Sequence, residues 1–194
     1  MSISLESVFN CVNKNVIKLS YRWKIYCQLF DSGNENIALL NSSGREVFKL
    51  FQQLVLDDTI LALSRLTDPP SSGKDKDNAN IKHILDLAGG SLSSSASTEL
   101  NTTLARLEVH VQNLRVHRDK ALAHSDVKHE LQVEVLPPIT YDELESAMRE
   151  CRTLMSKLGS ELFKQTSCYD VIVPFGSGGN DLLALLSKAH ALHN

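Results

Sequence analysis

Apolar positions recur most regularly at the start of the chain. Phe9, Val12, Val16, Leu19, Trp23, Tyr26 and Phe30 step alternately by three and four residues. Such spacing places one apolar seam along a helix of about 25 residues, with the lysines and Arg22 off the seam. Asp31-Ser32-Gly33-Asn34 follows as a stop signal. A second helix is predicted over about 43–67. It is apolar on more than one face (Val47, Phe48, Leu50, Phe51, Leu54, Val55, Leu56, Ile60, Leu61, Leu63, Leu66), which predicts a place in the middle of a bundle. Pro69-Pro70 ends it, because proline lacks the amide donor and restricts the residue before it.

Residues 69–80 then form a polar loop, and Ile81 to Ala88 a short helix that stops at Gly89-Gly90. A second flexible stretch is expected over 89–97, and the next helix opens near Ser97 or Thr98 and runs past 120. Leu131, Val133 and Val135 alternate with Gln132 and Glu134, which predicts a short extended segment unable to make a sheet alone. Thr140 and Glu143 have the spacing of a capping box, ahead of a helix carrying Leu144, Met148, Cys151, Met155, Leu158 and Leu162. A last short helix starts near Asp181; the glycines at 176, 178 and 179 precede no Lys-Ser/Thr and read as a plain loop leading into it. No internal repeat is present. The economical reading is one all-α domain over 1–194, a bundle of four to five main helices packed up-and-down and antiparallel, with at most one short extended segment near 131–135.

Composition narrows the function only by exclusion. With 194 residues, 42% of them apolar, the chain is long enough for a full core, and its net charge of -3 does not suit a generic polyanion binder. Any nucleic-acid contact must come from a local cluster. The cysteines at 11, 27, 151 and 168 form no CxxC pair and have no histidine at zinc-ligand spacing, so buried reduced thiols, and no metal, are expected. The first fifteen residues lack a basic region followed by an apolar one, and no apolar run approaches the ~20 residues of a membrane span. A cytoplasmic protein with no membrane contact and no cofactor is expected.

Chemistry concentrates late in the 97–125 helix. Leu100, Leu104, Leu107, Val111 and Leu114 fall on one helical line, and the next members of that line are Arg118 and Leu122. A guanidinium therefore sits on the face that should be buried. It cannot shed its charge at ordinary pH, and burying it alone would cost several kcal/mol. It needs a carboxylate, an anionic ligand or a wet pocket. Asp58, equally out of place on the apolar line of the second helix, is one candidate ion-pair partner. Arg65 and Asp68, three apart, can pair with each other at the end of that helix or help position Arg118. A second line, about 100–120° around, carries Arg106, His110, Asn113, His117 and His124. Between 106 and 129 five cations stand against three anions, in an otherwise acidic chain. His110, His117, Arg115 and Lys120 are read either as solvated surface residues or, for the last three, as contacts to a substrate.

The segment Arg118-Asp119-Lys120-Ala121-Leu122-Ala123-His124 resembles the Arg-polar-x(3–5)-His signature of HEPN domains. The Trp23…Tyr26…Leu29-Phe30 stretch, Leu39-Leu40-Asn41, Asp57-Asp58 followed by Leu63-Ser64-Arg65-Leu66-Thr67-Asp68-Pro69, and Pro174-Phe175…Gly178-Gly179…Leu182-Leu183 are similar to the abortive-infection, AbiU-like branch of that superfamily. The resemblance implies a HEPN-like helical bundle that dimerises so that two Arg…His motifs face one cleft. It also implies a metal-independent endoribonuclease, a toxin or phage-defence effector with RNA as substrate and a cognate antitoxin as a candidate partner. The alternative is a dimer module that binds RNA or a nucleotide without turnover.

Such residues suit that chemistry. Imidazole exchanges protons near neutral pH, and a guanidinium stabilises charge on phosphorane oxygens. His124 is assigned as general acid/base, Arg118 as phosphate clamp, and Asp119 as the group that orients them. On an ideal helix Arg118 and His124 point about 120° apart. Either the helix ends or bulges between them, or long side chains wrap its edge, or a twofold partner supplies one of the two. The last option would make the Arg118 face the dimer seam.

Overall fold

The computed structural model describes residues 3–73, 77–122, 126, 128, 131, 133 and 135–193. Six α-helices lie among them: α1 (Leu5–Phe30), α2 (Asn34–Leu66), α3 (Ile81–Ala88), α4 (Ser94–His117), α5 (Tyr141–Phe163) and α6 (Gly179–His193). Apart from an isolated antiparallel bridge between Ser71 and Asp77, no β-structure occurs among the described residues. The all-α class predicted from periodicity is the observed one. Of the expected extended segment, Leu131, Val133 and Val135 are exposed and outside any strand, while Gln132 and Glu134 lie outside the described residues.

Side-chain chemistry sets most helix ends. Asn80 caps α3, accepting from the His83 amide, and Gly89 closes it with a positive φ of 43°. Ser93 caps α4 through the Ala96 amide, three residues earlier than the sequence suggests. Thr140 and Glu143 form the predicted capping box of α5. α2 begins at Asn34 rather than near 43, and a kink at Gly44 separates its first turns from the stretch read from sequence.

The chain divides into two compact units, Met1–Ile17 with Ile60–Tyr169, and Lys18–Thr59 with Asp170–Asn194. In the first, α4 packs on α5. Leu100, Leu107, Val111 and Leu114 from α4 and Leu144, Met148, Cys151, Met155 and Leu158 from α5 are all buried. Phe9 of α1 packs on Phe163, ring centroids 4.6 Å apart. Polar pairs run beside this seam: Glu99 with Lys157, Arg106 Nη2 with Glu150 Oε2 at 3.1 Å, and Asn113 Nδ2 donating to Glu143 Oε1 at 2.8 Å. From each pair to the next the α4 number rises by one heptad and the α5 number falls by one, so the two helices are antiparallel. The polar line of Arg106 and Asn113 is thus half of a zipper to α5, with the Arg106 side chain still about half exposed.

The second unit has a smaller core of Leu29, Leu40 and Leu183, joined by Ile25, Phe30, Ile37, Leu39, Phe48 and Leu186. Trp23 and Tyr26 stack with centroids 4.9 Å apart. Gly178 and Gly179 let the start of α6 approach α1: a Cβ on Gly179 would lie 2.8 Å from Gln28 Cβ and 3.1 Å from the Ile25 carbonyl. The expectation that α2 lies inside a bundle fails here. Val47, Leu50, Phe51 and Leu54 are exposed, the first at 69%. An apolar pattern on several faces records what a helix could bury, not what this chain alone covers.

The cysteine expectation holds for one residue. Cys151 is buried, with its thiol pushed up to about 12 by desolvation. Cys11 and Cys168 are exposed and Cys27 intermediate, all as free thiols. No group of metal-ligating side chains occurs among the described residues, and no helix there is long and apolar enough to cross a membrane.

Candidate functional site

The site is built where the end of α2 meets the end of α4 in the first unit. After Leu66 the Thr67 hydroxyl donates back to the Leu63 and Ser64 carbonyls, at 3.0 and 3.1 Å, closing the last turn. Pro69 prevents the helix from continuing. Fully buried Asn80 then ties the chain down. Its Nδ2 donates to the carbonyls of Asp68 and Pro69, both at 2.9 Å, while its Oδ1 caps α3. Asn78 Nδ2 adds a second donor to the Pro69 carbonyl at 2.9 Å. The backbone that carries the Asp68 carboxylate is therefore held from the far side of the 69–80 loop.

Two arginines one turn apart, Arg115 in the last turn of α4 and Arg118 just after it, reach this corner. Arg115 Nη2 donates to the Thr67 carbonyl at 2.7 Å, satisfying a helix-end acceptor. Arg118 Nη1 donates to Asp68 Oδ1 at 2.6 Å, and its Nε to Asp119 Oδ1 at 2.7 Å. The Arg118 side chain is 21% exposed and that of Asp68 25%. The guanidinium is thus half-sunk and paired, as its helical position requires. The hydrogen bond it donates to Asp119, then the one to Asp68 and the charges of both carboxylates, hold its pKa above the ordinary arginine value against partial desolvation. No hydrogen bond involves Arg118 Nη2 among the described residues.

The α-helix does not continue through the motif. Residues Arg118–Leu122 form a π-helical turn, one of the arrangements that changes the angular relation of side chains on either side. The 120° separation computed for a continuous α-helix does not apply across it. His124, the other half of the expected pair, lies outside the described residues.

Several expected relationships are different. The carboxylate that meets Arg118 is Asp68, not Asp58; Asp58 Oδ2 instead faces Arg22 Nε at 3.0 Å, an ion-pair distance without hydrogen-bond alignment. Asp68 does not pair with Arg65, whose exposed side chain makes no ion pair among the described residues. The line Leu100, Leu107, Val111, Leu114 that leads to Arg118 is covered by α5 of the same chain, so it is not free to form a seam with a second copy. His117 is not a free surface imidazole: Nε2 donates to the Pro137 carbonyl at 2.5 Å, which places the proton on Nε2 because a carbonyl only accepts. Lys120 is half-buried. Asn80 was not singled out from sequence, although its place immediately before the apolar Ile81 is an N-cap signal.

An all-α chain with Arg118-Asp119 at the end of a long helix agrees with the HEPN resemblance. The HEPN_AbiU2 family model, described as AbiU2, matches residues 3–177, and the chain belongs to that family. No curated protein and no solved structure matches it.

Proposed function

We propose that this protein is a metal-independent endoribonuclease acting in abortive infection, with Arg118 and His124 as its working pair. The observation that carries the reading is the half-buried Arg118, aimed by Asp68 and Asp119 with its Nη2 edge open among the described residues. A phosphodiester oxygen can take that edge through charge-assisted hydrogen bonds. The RNA 2′-hydroxyl attacks the adjacent phosphorus, and His124 takes the hydroxyl proton. Arg118 stabilises the charge on the phosphorane oxygens. The P–O5′ bond then breaks and the leaving oxygen is protonated, giving a 2′,3′-cyclic phosphate and a 5′-hydroxyl. Asp119 holds the guanidinium plane, and Lys120 and Arg115 lie one turn or less from it for neighbouring phosphates. His124 acts from the same chain or from a second copy, and a homodimer and a cognate antitoxin belong to this reading.

The second reading is an RNA- or nucleotide-binding module without turnover. It is favoured by the two carboxylates that already share the Arg118 charge, which leave less of it for a phosphorane.

Incubation of the full chain with structured RNA in EDTA separates the two. The nuclease reading expects cleavage with cyclic-phosphate ends, lost by at least 100-fold (about 2.7 kcal/mol of transition-state stabilisation) in both Arg118→Ala and His124→Ala. RNA retained with no products by wild type, and released by Arg118→Ala, supports the module. Cleavage undiminished in both variants overturns the assignment of the pair.

A further inference from the structure

A groove in the second unit is lined almost wholly by apolar side chains. Leu29 of α1, Phe48 and Phe51 of α2, and Leu182 and Leu185 of α6 form its walls, with Gly176–Gly179 along its rim. Its volume of about 440 Å³ lies within the range of roughly 300–1,000 Å³ that small-molecule sites occupy. Leu185 is 63% exposed, and Phe51 and Leu182 more than a third, so the walls are apolar surface left in water. The rim is held in place. The Gly179 amide donates to Gln28 Oε1 at 2.9 Å, and the Ser177 amide and hydroxyl both donate to the Pro174 carbonyl, at 3.2 and 2.8 Å. The groove is therefore preformed.

One charge faces this apolar surface. Among the described residues, Asp181 is the only charged side chain in the lining. The Gly178 amide donates to its Oδ2 at 3.0 Å, and the amides of Gly178 and Gly176 hold the carboxyl below the usual carboxylate range, so it is ionised at neutral pH. Amides are neutral donors; they fix the carboxylate without cancelling its charge. No cationic side chain pairs with it among the described residues. The N-terminus of α6 offsets only about half a unit of charge, which leaves that end of the groove negative. Exposed Arg45 and Lys49 on α2 do not line the groove, and exposed Glu46 stands between them. From this arrangement we infer that the α1–α2–α6 groove binds an organic cation, a protonated amine or quaternary ammonium on an apolar body. The body covers Leu29, Leu182 and Leu185, and the cationic end lies at Asp181. Phe48 and Phe51 add aromatic surface, which attracts cations as well as apolar groups. An anion is repelled by Asp181, and a neutral apolar molecule leaves its charge unmatched. This inference does not depend on the nuclease reading.

Isothermal titration of the full chain with three probes of one chain length tests it: octyltrimethylammonium, octanoate and octanol, each below its aggregation concentration. The cation is expected to bind once per chain, at least about fivefold more tightly than either of the others. Raising the salt concentration should narrow that gap. Asp181→Asn keeps an oxygen for the Gly178 amide, and should remove the preference while leaving octanol binding unchanged. Leu185→Lys changes a side chain already in solvent. It should weaken the cation at least about fivefold with helical circular dichroism unchanged, and it keeps the test open if Asp181→Asn disturbs α6. No saturable binding, equal affinity for the three probes, or a preference for octanoate overturns the inference. So does binding that is lost as protein concentration rises, since another chain then covers the groove.

Discussion

Arg118 Nη1 lies 2.6 Å from Asp68 Oδ1, fifty residues away in sequence, and the two side chains are only about a quarter exposed. Removing Arg118 leaves the Asp68 carboxylate partly buried without its guanidinium, and removing Asp68 leaves Arg118 with Asp119 alone. Arg118→Ala and Asp68→Ala should each destabilise the protein by about 1–3 kcal/mol. In urea denaturation the double variant should cost less than the two singles added, because they remove one shared interaction. Additive losses would mean the pair does not hold the corner together.

Asn80 is fully buried and spends its amide on two carbonyls while its oxygen caps α3. Asn80→Ala strands the Asp68 carbonyl and a helix-end donor and leaves the Pro69 carbonyl to Asn78 alone, and we expect a loss of about 2–4 kcal/mol. Asn80→Asp keeps the cap acceptor and loses the two donors, so it should fall between. Thermal unfolding of the three proteins gives the order directly.

At Gly179 a single methyl meets Gln28 Cβ at 2.8 Å, Leu29 Cγ at 2.9 Å and the Ile25 carbonyl oxygen at 3.1 Å. The last of these is backbone and cannot swing aside. Gly179→Ala should lower stability by about 1–3 kcal/mol despite alanine's better helix propensity. The same change at Gly90, with nothing within 4 Å, should be near neutral. Protease cleavage near 170–194 should rise in the first variant only.

Cysteine reactivity should split by burial. Iodoacetamide on the native protein should label Cys11 and Cys168 and spare Cys151, whose thiol is raised from 9.0 to about 12 by desolvation. The sign for stability follows from that rise. Below about pH 9 the thiol is neutral in both states and contributes fully. As pH climbs from there towards 12 the unfolded thiolate forms first, and stability falls. Peptide mass mapping reads the labelling, and urea midpoints in Cys151→Ala and wild type above pH 9 read the linkage.

Local pattern carried α1, α3 and α5 well. The alternating steps from Phe9 to Tyr26 are all buried, Gly89 ends α3 where expected, and the Thr140–Glu143 box starts α5. These features are decided by neighbours within four residues, and periodicity and capping chemistry report such neighbours. The oddness of Arg118 was visible for the same reason, since a charge on an apolar line must be answered by something.

What answers it was not visible. Asp58, Asp68 and Asp119 all offer a carboxylate along the chain, and the tertiary fold, with Asn80 holding the Asp68 carbonyl, brings Asp68 to the guanidinium beside Asp119. The exposure of Val47, Leu50 and Leu54 was hidden likewise, because an apolar stripe looks the same whether its own chain or another covers it. The sequence by itself determined helix class, several boundaries and the need for an acid near position 118, all local or single-residue energetics. Tertiary structure alone decided which acid, which apolar face is left uncovered and which polar line zips α4 to α5, because each depends on segments tens of residues apart meeting in space.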